Sequence, residues 1–272
     1  MMIVRLFCPK CAYAVSKKLV DYAEIDVYSP VSRLSDSGKY QVVCDHGHTS
    51  TVVLKNLKFE LLFEMGINAI VDGYGREAVS SFSAALERFY EFYWRVALAH
   101  LAIPEETIAS AWKVLSRQSE RQLGAYVSAS LALAKELPRL LNPNKEVEFR
   151  NNVIHKGYVP TDEEATEFGD AVMALINEEL EKLRHIAPEA LSTVYNSLLP
   201  KNEETSDDEI VGGVNILTAI DVMHPPKPGD QRGAMLSSHF SRVRSKREPR
   251  RLALVSKEEM ARRFPDRLKP SP

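Results

Sequence analysis

The sequence predicts a mainly α protein: an antiparallel helical bundle, preceded by a small β-rich module and followed by a basic, partly irregular tail. Three observations carry that reading. Between residues 56 and 204 apolar side chains recur at helical spacing, interrupted only by short Gly, Pro and Asn signals. Residues 1–55 instead hold short β-rich runs, "MIVRLF", "KYQVVC" and "STVVL", punctuated by Gly, Ser and Asp. Over residues 205–272 the periodicity is lost, and "TSDDE", "GG" and "HPPKPG" mark a linker and tail.

The helices follow in order. "LKFELLFEMGINAIVDG" is apolar at helical spacing and stops at Gly73. The longest element is "REAVSSFSAALERFYEFYWRVALAHLAI", where Val79, Phe82, Leu86, Phe89 and Tyr93 form one continuous stripe suited to core packing. Pro104 opens the next helix, with two glutamates in its first turn to suit the helix dipole. "YVSASLALAKEL" forms another before Pro138. A further helix begins near Asn142 or Asn144, carries "EFRNNVIHKG" and ends at Gly157. The last long helix starts at Thr161, an N-cap whose capping box is completed by Glu164, and "PEALSTVYNSLL" trails behind it. Five or more helices with short connections make an antiparallel bundle.

With 272 residues, the chain has room for one sizeable core or two unequal domains. Its 44% hydrophobic and 26% charged residues are those of an ordinary globular protein. No run of eighteen apolar residues occurs, so no membrane span is expected. The opening "MMIVRLFCPKC" lacks the apolar stretch of a secretory signal, so a cytoplasmic location is expected. Charge is uneven. Residues 224–272 hold thirteen Lys/Arg and five Asp/Glu, a net +8 against −2 for the whole chain, which leaves −10 for the rest. Such a tail suits nucleic-acid backbone or an acidic partner, and equally suits folding back on its own body.

Three cysteines do not make a disulfide framework; in a chain without a secretory signal they mark a metal or redox site. Cys8 and Cys11 are spaced Cys-x2-Cys. Cys44 lies in "CDHGH", with His46 at Cys-x-His and His48 at Cys-x3-His. Two close donor pairs on separate turns are what a tetrahedral zinc needs. The strand-knuckle-strand context resembles a zinc ribbon in which the His after Gly ligates, which favours His48, with His46 as the alternative. The zinc is expected to be structural, since a segment this short has little apolar core of its own.

The stretch "RNNVIHKG" concentrates Arg150, Asn151, Asn152 and His155 within six positions. Arg offers a fixed cation, His a proton donor or acceptor near neutral pH, and Asn neutral donors, a kit that suits a phosphodiester. Arg150 and His155 stand five residues apart, about 140° around a helix, so they diverge on one chain.

The helical region resembles the HEPN family. The resemblance rests on "RNNVIHKG", which matches the family's Arg-x4–6-His motif with a polar residue after the Arg. The long helix "GYGREAVSSFSAALERFYEFYW" and the following "VPTDEEATEFGDAVMALI" also look like the family's early and last core helices. It covers a little over half the chain. What it implies is a homodimeric, metal-independent endoribonuclease whose two motifs form one composite site. There the RNA 2′-hydroxyl attacks, leaving a 2′,3′-cyclic phosphate and a 5′-hydroxyl. By position, Arg150 would stabilise the phosphate, Asn151 orient it and His155 move the proton. Arg76 and Glu87 on the long helix could support the site, or simply form a solvated face. The resemblance also implies phage defence or a toxin-like role, with a regulatory partner protein. The alternative is a non-catalytic HEPN sensor or scaffold that binds nucleic acid or nucleotide.

Overall fold

The computed structural model describes residues 2–4, 6–17, 32–44, 46–200, 211–225 and 235–247. These fall into two compact units. Of the described residues, one unit is helical and comprises 56–199 with 217–225 and 235–244; the other comprises those of 2–55 with 200, 211–216 and 245–247.

The helical unit is built around one long helix. α2 (Lys58–Val71) ends where Gly73, at φ +76°, takes the left-handed turn that a side chain would resist. α3 (Gly75–His100) then runs for 26 residues and packs against α2, α5, α6, α7 and α8. The predicted stripe is its core face: Val79, Phe82, Leu86, Phe89 and Tyr93 are all buried. Phe82 marks the closest approach. Its ring lies against Gly66 of α2 and Gly169 of α7, and a Cβ at Gly169 would come within 2.8 Å of it. Two glycines inside helices, costly in isolation, are there so that an aromatic ring can fit between backbones.

α4 (Glu105–Leu115) starts after Pro104 as expected. α5 (Ser119–Leu133) begins seven residues earlier than the predicted "YVSASLALAKEL". Its first turns are polar, and only Gln122, Ala125 and Tyr126 there face the core, so periodicity was faint at that end. The connection after α5 is held by side chains from elsewhere. The Arg139 backbone N–H donates to the buried Glu179 at 3.0 Å, and the Tyr126 hydroxyl donates to the Arg139 carbonyl at 3.1 Å. A wide π-type turn (Pro143–Val147) follows, capped by Asn142, and leads directly into α6 (Glu148–His155). α6 stops at Gly157, at φ +74°. α7 (Asp162–Ile186) carries the expected capping box: Glu164 accepts from the Thr161 N–H at 2.9 Å, and Thr161 accepts from the Glu164 N–H at 3.2 Å. α8 (Pro188–Leu198) closes the series.

The other unit holds a two-stranded antiparallel pair, β1 (Ile3–Val4) with β2 (Ser32–Arg33), and a three-stranded sheet. In the latter β3 (Lys39–Val43) pairs antiparallel with β4 (Thr49–Leu54), and β4 pairs in parallel with β5 (Val211–Val214). Two expectations change here. The Cys-x2-Cys knuckle does not continue into a strand: α1 (Pro9–Ser16) begins inside it, with Pro9 preset for a first helical turn. The module is therefore not all β.

The expected tail of residues 205–272 is also revised. Val211–Val214 form a strand, and residues 217–225 and 235–244 belong to the helical unit. In that unit Ala219, Ile220, Val222, Leu236 and Val243 are buried, at spacings no helix or strand template would catch. Polar anchors fix them. Glu60 accepts from the Val222 N–H at 2.8 Å, Arg184 donates to the Asp221 and Val222 carbonyls, and Asp170 accepts from the Leu236 N–H at 2.6 Å. Arg242, on α9 (Phe240–Arg247), forks onto the buried Glu64 at 2.6 and 2.8 Å. Residues 248–272, with most of the basic run, lie outside the described residues. Among the described residues no helix is long and apolar enough to cross a membrane.

Candidate functional site

Two clusters stand out, one in each unit. In the β-containing unit, Cys8 precedes α1, Cys11 lies in its first turn, and Cys44 and His48 flank the β3–β4 turn. That turn is closed by the Cys44 N–H to the His48 carbonyl at 3.1 Å and the Gly47 N–H to the Cys44 carbonyl at 2.8 Å. Gly47, at φ +76°, allows the tight reversal. The three sulfurs and His48 Nδ1 all lie within 4.8 Å of one another. The Cys11 and Cys44 sulfurs are 3.7 Å apart, and His48 Nδ1 is 3.3 Å from Cys11 Sγ and 3.8 Å from Cys8 Sγ. Tetrahedral zinc bonds of about 2.3 Å to sulfur and about 2.0 Å to nitrogen imply S–S and S–N edges of about 3.8 and 3.5 Å. These three edges lie close to that figure, and no disulfide joins the cysteines.

His46 is exposed and its Nδ1 comes within 3.8 Å of Cys11 Sγ, but it is not one of the four mutually close donors. Burial, with the neighbouring thiols, pushes the Cys11 thiol up to about 12. Burial works to raise Cys44, yet the backbone N–H groups of His48 and His46, with hydrogen bonds from Cys8 and Cys11, together hold that thiol below its ordinary value. A bound cation would draw both thiols to thiolate. Sequence reasoning missed two supporting groups. The buried Ser50 places Oγ 4.0 Å from Cys8 Sγ, and Gly212 of β5 leaves room for Pro9, which a Cβ there would meet at 2.5 Å.

The second cluster lies in the helical unit around Arg150. The guanidinium donates to Glu87 Oε1 at 3.3 Å and to Asn151 Oδ1 at 3.1 Å. Ser119, at the start of α5, donates to the same Glu87 oxygen at 2.6 Å. Glu87, Arg150 and Asn151 line a cavity of about 200 Å³ whose apolar walls include Leu86, Leu123 and Phe168, with Tyr90 facing in. Burial raises the Tyr90 phenol well above its ordinary value, Glu87 adds to the effect and Arg150 opposes it, so Tyr90 remains a neutral hydroxyl.

The structure thus joins Arg150, Asn151 and Glu87, although Glu87 is 63 positions from Arg150. His155 is exposed at the last residue of α6 and does not line the cavity. Arg76 is exposed in the first turn of α3 and is not part of the lining either. Ser119 carried no signal in the sequence; only the α3–α5 packing brings it to Glu87. Comparison with protein-family models, with curated proteins and with solved structures found no match.

Proposed function

We propose that the chain is a HEPN-type, metal-independent endoribonuclease with a structural zinc in its N-terminal unit. The observation that carries the reading is the cavity at Arg150 and Asn151, where a fixed cation and an amide donor stand beside an apolar cleft. In this reading the RNA 2′-hydroxyl attacks the adjacent phosphorus and the bond to the 5′-oxygen breaks. His155 moves the proton, and Arg150 offsets the charge that develops on the phosphate. His155 and the cavity diverge on one chain, so the complete site needs a second copy, with the exposed His155 of each available to the other. A phage-defence or toxin-like setting with a regulatory partner follows from the family resemblance alone.

Zinc at Cys8, Cys11, Cys44 and His48 would cross-link α1 to the β3–β4 turn and supply folding energy rather than chemistry. One observation favours a second reading, a non-catalytic binder of nucleotide or nucleic acid: Arg150 is already engaged by Glu87, and His155 stands apart from it. Cleavage assays on Arg150→Ala and His155→Ala separate the two. The nuclease reading expects each change to lower cleavage by about 100-fold or more while RNA binding persists. It also expects wild-type products ending in 2′,3′-cyclic phosphate and 5′-hydroxyl. A wild-type protein that binds RNA and cuts none of it leaves the binder.

A further inference from the structure

We propose that the cavity beside Arg150 is a pocket for one unstacked guanine base of single-stranded RNA. This rests on the nuclease reading for its place in the reaction, and on the cavity's own chemistry for its choice of base.

Size comes first. A dry cavity of about 150 Å³ accommodates benzene. At about 200 Å³ this one has room for a larger planar ring system, and its walls suit one, with Leu86 and Phe168 buried and Leu123 at the rim. Bases of single-stranded RNA are read in this way, splayed from the strand and hydrogen-bonded on their Watson–Crick edge.

The polar groups then select among bases. Glu87 Oε1 accepts from Ser119 and Arg150, and its Oε2 makes no hydrogen bond among the described residues. Asn151 Oδ1 is taken by Arg150, which orients the amide so that its NH2 is the group left to donate. The cavity therefore offers a carboxylate acceptor and an amide donor. Guanine presents two adjacent N–H donors, N1–H and the 2-amino group, beside the O6 acceptor. Its donors match the carboxylate and its O6 matches the Asn151 amide. Adenine and cytosine place a ring-nitrogen lone pair next to their amino group, and uracil flanks its one N–H with two carbonyls. Each of these would turn a lone pair toward the carboxylate.

The ion pair supplies a coupling. The Arg150–Glu87 contact is long, 3.3 Å, and both side chains are about a quarter exposed. When Arg150 turns to a phosphate, Glu87 loses its cation, and a base with two N–H donors replaces what it lost. Base recognition and phosphate engagement then favour each other at Glu87.

The test is equilibrium binding of GMP, AMP, CMP and UMP to the full-length, zinc-loaded protein, alongside cleavage of RNAs that differ in a single base. The proposal expects GMP to bind at least about tenfold more tightly than the other three, the discrimination of a bidentate base contact. It expects Glu87→Gln to erase that preference. Leu123→Trp, at the exposed rim and outside the Arg150 network, should weaken all four by filling the cleft. Equal binding of the four nucleotides, or RNA cleavage indifferent to base, overturns the pocket and leaves the nuclease standing. A GMP preference without cleavage of any RNA supports the pocket and overturns the nuclease. No nucleotide binding together with no cleavage overturns both.

Discussion

The two units solve the problem of holding a fold in opposite ways. The helical unit buries a run of aromatic side chains, including Phe59, Phe63, Phe82, Phe89, Phe92 and Tyr93, in one continuous core. It can therefore carry costly groups: Glu60 and Glu64 are each only 1% exposed. Among its described residues the N-terminal unit has short strands and buries mostly aliphatic side chains, Val4, Leu6, Val52, Val53 and Leu54 among them, beside the three cysteines. There the sulfur cluster takes the place that rings take in the bundle. Apolar burial tolerates a charge if it is paired; a small module with a small apolar core gains most from a cross-link.

The contrast can be broken most severely at the Cys8–Cys11–Cys44–His48 cluster. Structural zinc contributes about 10–16 kcal/mol in small modules. If the cluster holds a structural zinc as proposed, elemental analysis should find one per chain, and Cys11→Ser should abolish it. The same change should also open the N-terminal unit to limited proteolysis while the helical circular-dichroism signal persists. Retention of the zinc, or collapse of both units together, would break the comparison.

The next effect lies at Glu64. Arg242→Ala leaves that carboxylate buried without its cation, which should cost about 3–5 kcal/mol in urea unfolding of the helical unit. Because Arg242 lies in the returning segment, the same variant measures how firmly residues 235–244 are held.

Glu60 gives the helical unit a pH signature. Burial raises its carboxyl to about 8, against the pull of the Val222 and Leu57 N–H groups toward the charged form. A folded-state value above the unfolded one means that the folded protein keeps a proton the unfolded chain releases. Stability should therefore fall as pH rises from about 4.5 to about 8 and level off above that, by an order of a few kcal/mol. Urea midpoints across that range should show the slope, and Glu60→Gln should flatten it.

The smallest change is Gly169→Ala. It sets a methyl against the Phe82 ring and should cost about 1–3 kcal/mol, read as a lower thermal midpoint.

Legibility in the sequence followed the range of the interactions. The long helix, the Thr161 capping box and the glycine stops at Gly73 and Gly157 were readable because each is set by residues within a few positions. The donors Cys8, Cys11 and Cys44 were readable for the same reason, as was His48, which the sequence favoured over His46 and the geometry places with them. The α1 helix was obscured because a Cys-x2-Cys knuckle suits a strand or a helix start equally. That the tail could fold back was legible, but where it docks was hidden, because its anchors, from Glu60 to Val222 and from Glu64 to Arg242, span 162 and 178 positions. At the Arg150 cluster, spacing along the chain pointed to His155. The fold brings Arg150 to Glu87, which the long helix had offered as a support, and adds Ser119 from a third helix.

The composite site is the central claim, and the arrangement of two copies tests it most directly. The measurement is an experimental structure of the protein bound to an RNA whose 2′-hydroxyl is blocked by methylation. The account predicts two copies related by a two-fold axis, with His155 of one and Arg150 of the other both within about 3 Å of the same phosphate. His155 side chains lying on opposite outer faces of the dimer, away from any phosphate, would contradict it.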